Sequence, residues 1–84
     1  MNEVIAEIEK KIRKEFNPDG LELINNSELH KKHKSFDSNK LHLKLIINSK
    51  QLRQMRRMDA HKKIFSLIKE EMEKKIHALE IEIR

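Results

Sequence analysis

Apolar residues recur along this chain with different periods, and the changes of period divide it into elements. Between residues 2 and 16, Ile5, Ile8, Ile12 and Phe16 stand three or four positions apart with charges between them. That spacing puts one apolar stripe on an amphipathic helix. Asn17-Pro18-Asp19-Gly20 ends it, because Pro18 disfavours helical backbone at Asn17 and the only glycine follows. Leu21-Glu22-Leu23-Ile24 reads as a short strand. Leu41 to Ile47 alternates, with Leu41, Leu43, Leu45 and Ile47 toward a core and His42 and Lys44 outward, which makes His42 a surface histidine. Asn48-Ser49 caps a short basic helical turn, Lys50 to Arg57. Asp59 reads as the N-cap of a longer helix that buries Ile64, Phe65, Leu67, Ile68 and Met72. His77 to Ile83 alternates again as a third strand, and the alternation gives His77 the parity of Leu79, Ile81 and Ile83, at the start of the core face. The order α-β-β-α-α-β predicts an α+β fold, a three-stranded sheet covered on one face by helices.

Residues 25 to 40 lack any sustained apolar period and read as a long connection, of a length more often functional than decorative. Within it, residues 31 to 40 hold four lysines and two serines and are expected to be flexible. At 84 residues the whole chain, 1–84, is one domain. Composition adds an uneven charge. The net +5 hides a centre, Glu28 to Lys63, at +8, and two ends that together carry −3. A basic centre suits an anionic partner surface, although a solvated charged face accounts for it equally well.

Several function classes fall away. No run reaches the roughly 18 to 20 apolar residues that span a bilayer. The charged N-terminus has no apolar core of a secretory signal, and the absence of cysteine suits a reducing compartment, so a cytoplasmic location is expected. No cysteine also means no disulfide and no thiolate nucleophile. Nucleophile elbow, P-loop, dinucleotide fingerprint and a convincing carboxylate pair are all missing, and Glu70-Glu71-Glu73 reads as a solvated helix face. A binding protein is expected, not an enzyme.

Five histidines remain as the chemically distinctive residues, and their places resemble the BolA family. After the first helix and Leu21-Glu22-Leu23 comes Asn26-Ser27-Glu28-Leu29-His30, where that family has an acidic-Ser stretch ending in a loop His or Cys. His42-Leu43-Lys44 resembles its His-Phe-Lys/Arg opening of the second strand. Leu52 stands for the family's Phe, nine residues before His61, the centre of its Arg-His-Arg element, which here reads Ala60-His61-Lys62. His77-Ala78-Leu79 resembles the His-Ala-Leu that opens the last strand, after Glu70-Glu71. Gln54 replaces a family glycine.

The resemblance implies a fold similar to type II KH domains, without their Gly-x-x-Gly loop, which one glycine cannot build. It also implies a monothiol glutaredoxin as partner in a heterodimer, the chain alone being a monomer, and a [2Fe-2S] cluster shared with that partner and glutathione. The ligands it implies are His77 and His30, with His33 and His61 as the lesser candidates. On pattern alone His77 is more readily a satisfied core histidine, His30 and His33 solvated loop residues, and His61 a polar residue near a helix start. Two imidazoles make half a site, because histidines replace cysteines on one iron only. Neutral imidazole raises the reduction potential and makes ligation titratable near neutral pH. The rival reading is nucleic-acid binding by a transcriptional regulator through Lys50, Arg53, Arg56, Arg57, Lys62 and Lys63, on a helix-turn-helix-like pair. With no Trp or Tyr and three Phe, stacking platforms for single strands are scarce.

Overall fold

The computed structural model describes residues 3–26 and 41–84. In chain order they form α1 (Glu3–Phe16), β1 (Gly20–Asn25), β2 (Leu41–Asn48), α2 (Lys50–Arg53), α3 (Arg57–Leu67), α4 (Lys69–Lys74) and β3 (Ile76–Ile83). The predicted 31–40 loop, with His33, lies outside the described residues, as does His30.

The predicted stripe is the buried face of α1, where Ile8, Ile12 and Phe16 enter the core and Ile5 packs at its edge. Asn17 closes the helix in the left-handed region, at φ 43°, and its N–H donates to the Arg13 carbonyl at 3.0 Å. An asparagine tolerates that backbone and ends the helix before Pro18. β2 is the central strand of the sheet, antiparallel to β1 and parallel to β3. Leu21 pairs with Ile47 and Leu23 with Leu45 on one side; Leu79, Ile81 and Ile83 pair with Leu43, Leu45 and Ile47 on the other. These residues line one face of the sheet, and α1, α2 and α3 add Ile8, Ile12, Phe16, Leu52, Ala60 and Ile64 to the same core. The opposite face carries Glu22, Ile24, Lys44, Ile46, Glu80 and Glu82, and no helix among the described residues covers it. The α+β fold, with its sheet covered on one face, is as the pattern predicts.

The helices between β2 and β3 depart from the prediction in detail. Ser49 does cap α2: its hydroxyl accepts a hydrogen bond from the Leu52 N–H at 3.2 Å, and Leu52 is buried below. The turn stops at Arg53, however, short of the expected Arg57. Arg56, with extended backbone and no side-chain capping bond, precedes α3, so Asp59 is a first-turn residue and not the cap. Its carboxylate there still faces the positive end of the helix dipole. The single long helix expected over this region is broken at Ile68, where φ is −111° and ψ 28°. Ile64 and Ile68 are fully buried, while Phe65, Leu67 and Met72 are only partly so. Beyond the break, Glu71 meets Lys11 of α1 in an ion pair, and its side chain is 11% exposed. Glu70 and Glu73 are solvated as expected, but Glu71 is buried and joins two elements.

Two predictions follow from this packing. Ile64→Ala removes a fully buried side chain facing the sheet and is expected to cost about 2–5 kcal/mol by urea unfolding, a large share of the stability of so small a domain. For the ion pair, the Glu71 hydrogen bond and charge hold the Lys11 ammonium above its ordinary 10.5. A raised lysine stabilises fully below its unfolded-state value and loses that contribution as pH rises through the folded-state one. The urea midpoint gap between the protein and Lys11→Met is therefore expected to hold from neutral pH to mildly alkaline pH and to shrink above pH 10.5.

Candidate functional site

His77 is the second residue of β3, and the pairing of that strand is irregular at this point. Leu41 pairs with Ile76, but His42 pairs with Ala78, so His77 is the extra residue of a β-bulge. The Leu41 N–H donates to the Lys75 carbonyl at 2.9 Å and fixes the entry of the strand just before it. A bulge changes the parity of every residue on its N-terminal side relative to those beyond it. Ile76 therefore takes the core position, 2% exposed, and His77 is exposed. Alternation had put His77 on the core face with Leu79; the bulge corrects that, because it absorbs one residue between them.

Sequence reasoning also misplaced His42. Its outward parity is right, since Leu43, Leu45 and Ile47 hold the core face, yet it is 8% exposed and not a surface residue. The His42 and His77 rings lie 4.8 Å apart between centroids with their planes tilted by 31°. The two imidazoles thus meet in a tilted ring contact, within the centroid range in which aromatic rings attract. Parity says which face a residue takes but not what covers that face, and the neighbour here is brought by the bulge. The signal available in the sequence was the His42-Leu43-Lys44 anchor itself.

The remaining candidates divide between the ends of the sheet. Because β2 and β3 run parallel, both begin at the His42–His77 end, and α2 starts only where β2 has finished. Lys50, Arg53, Arg56, Arg57, Lys62 and Lys63 are all exposed. From His42 to Asn48 is six residues, so α2 begins about 20 Å from the paired rings at the rise of an extended strand. His61 belongs to the α2 end. It lines an open groove of about 520 Å³ with Arg53 and Arg57 above Leu52, Met55, Ile81 and Ile83. The structure thus brings His77 to His42 and separates both from His61, which weakens His61 as an alternative ligand. No group of three or more His, Cys, Asp or Glu able to hold a metal ion occurs among the described residues. No described helix is long and apolar enough to cross a membrane.

Charge follows the same division. Arg53 donates to the Asn48 Oδ1 at 2.6 Å and to the Arg84 carbonyl, which ties α2 to the end of β3. On the bare sheet face Lys44 pairs with Glu82 at 3.7 Å. The Glu82 carboxyl is held below its ordinary value, first by the hydrogen bond from Arg84 and then by the Arg84 and Lys44 charges. Glu22 and Glu80 are also on that face, so it is acidic while the α2–α3 side is basic.

A family model described as BolA-like protein matches residues 12–84. A DNA-binding transcriptional regulator BolA from Haemophilus influenzae is 37% identical over 76 residues, which are 90% of this chain and 71% of that protein. Among solved structures, the BolA domain of SufE1 from Arabidopsis thaliana is similar with a TM-score of 0.86 at 27% identity, covering 100% of this chain and 93% of that one. BolA1 from the same plant gives 0.83 at 25% identity, over 99% and 92%.

The exposure of His77 generates its own prediction. His77→Ala is expected to change unfolding free energy by no more than about 0.5 kcal/mol, as for an exposed side chain. A loss of about 2 kcal/mol or more in urea unfolding would return His77 to the core.

Proposed function

Because the chain belongs to the BolA-like protein family, we propose that it is a non-enzymatic adaptor that docks on a monothiol glutaredoxin and holds one share of a [2Fe-2S] cluster between the two proteins. The observation that carries this reading is the placement of His77. In a chain without cysteine, a bulge turns one imidazole out of the core at the end of the sheet.

The donor set fits a shared cluster and not a closed one. Four ligands are needed and histidines take one iron, while the described residues enclose no metal by themselves. His77 and His30 hold the cluster from this side, with His33 in reserve; the partner's cysteine and a glutathione thiol complete it. When bound, the cluster supplies iron and sulfide for transfer, or a redox-responsive centre for iron sensing. The chain's own work is to keep the His77 ring accessible and to exclude a fourth-ligand cage that would trap the metal.

A second reading is favoured by the similarity to the Haemophilus relative named as a DNA-binding transcriptional regulator and by six exposed basic side chains on α2, α3 and the turn between them. Their phosphate contacts supply charge without base reading. The acidic sheet face offers nucleic acid nothing, so such binding is confined to the helical side.

The adaptor reading is tested by visible absorption and circular dichroism after anaerobic reconstitution with a monothiol glutaredoxin and glutathione. The mixture is expected to show a cluster spectrum distinct from that of the glutaredoxin alone, which His77→Ala abolishes. His30→Ala is expected to alter the spectrum or the lifetime of the cluster without preventing association. A wild-type spectrum from His77→Ala overturns the assignment. For nucleic acid, about four to six phosphate contacts give a log–log salt slope near −4 to −5 on duplex DNA. Binding by that surface is expected to vanish by about 0.5 M salt, where charge interactions are screened, whereas the cluster-bridged complex persists.

A further inference from the structure

The ring contact of His42 with His77 has a role that follows from its asymmetry. One ring is 8% exposed and belongs to the central strand of the sheet; the other is exposed and belongs to a bulge of an edge strand. The two rings therefore differ in freedom. Paired strands on both sides hold the backbone around His42, and its burial restricts the ring. His77 has left the regular ladder, so its backbone gives less constraint on where its ring points. The contact is then a fixed plate under a movable ring.

We propose that His42 is a positioning residue: it presents a buried ring face on which the His77 imidazole rests, so that His77 meets a metal in one orientation. The proposal rests on the adaptor reading for the identity of the ligand, but the contact itself does not. His42 is not proposed as a second ligand, because its ring is buried where that of His77 is exposed. Immobilising one rotamer-rich side chain costs about 0.5–1.5 kcal/mol on association. Ordering the ring beforehand removes that cost, a factor of about 2 to 10 in the affinity of His77 for its metal.

The test compares His42→Phe, which keeps a flat ring, with His42→Ala, which removes it. The first measurement uses the chain alone and needs no cluster. Long-range ¹H–¹⁵N correlation spectra report the tautomer of the His77 ring, and ring proton line widths and couplings report its rotamer order. His42→Ala is expected to shift and average the His77 ring signals, and His42→Phe to keep a single ordered rotamer. The second measurement is the lifetime of the reconstituted cluster by visible circular dichroism, expected to fall about 2- to 10-fold in His42→Ala and to be restored in His42→Phe. A folded His42→Ala protein with unchanged His77 signals overturns the proposal, and so does a His42→Phe protein that behaves like the alanine variant. If His42→Ala does not fold, the phenylalanine variant decides alone. Should the wild-type protein form no cluster with a glutaredoxin, the adaptor reading falls, while the His77 signals still decide whether His42 orders that ring.

Discussion

The parallel pairing of β2 with β3 is the constraint on which the rest of the structure depends. Two parallel neighbours cannot be joined by a tight turn; the chain must leave one end of the sheet and return to the other. Here the return is made by α2, α3 and α4, residues 50 to 74. That crossover covers one face of the sheet, and α1 lies on the same side, so the core is built there and no described helix lies on the other face. The same pairing starts both strands at one end, which is why histidines 35 positions apart in sequence come into ring contact. It also sends the basic helix to the far end. Fold, histidine pair and charge separation are three results of one strand direction.

Burial in the crossover is economical. A domain of this size has few fully buried residues, and here most of the largest are isoleucines and leucines of α1, β2 and α3. Among the described residues His42, Ser49 and Glu71 are buried polar side chains as well, and the partner of Glu71, Lys11, comes from the opposite end of the chain's order. The pair connects the first helix to the last, so the ion pair helps close the structure around a core contributed mainly by elements between them. Its screened, partly exposed geometry makes it a modest contributor to stability. Its value lies in specifying where α4 sits after the break at Ile68.

Much of this was legible in the sequence, and the boundary of legibility is physical. Periods of 3.6 and 2 identify α1 and the strands because burial on one face repeats over many residues, and Ser49 announces α2 through a local hydrogen bond that needs nothing distant. Breaks and bulges are single events. The break at Ile68 changes no apolar spacing, since Ile64, Ile68 and Met72 keep an interval of four residues across it. The bulge at His77 leaves the written alternation intact and changes its meaning. Burial of His42 and Glu71 depends on residues remote in sequence, which no local window contains. The family resemblance singled out His77 where periodicity assigned it to the core, and the structure leaves that residue exposed. It also marked His42, through the His42-Leu43-Lys44 anchor, without indicating that this ring neighbours His77.

The bulge at His77 also has a consequence for descent and for engineering. Along most of a strand, losing or gaining one residue exchanges inside for outside and is punished at once by the core. At a bulge the extra residue is already tolerated by the ladder, so a deletion there restores regular pairing at little cost to folding. In this chain such a deletion would return the first part of β3 to plain alternation and fold a stable sheet with its outward imidazole lost. Insertions and deletions at this one joint can therefore switch a chemical capability off while leaving the hydrophobic pattern, the composition and the stability of the domain almost untouched. Variants or relatives are better compared by the number of residues between Ile76 and Leu79 than by the hydrophobic character of the strand.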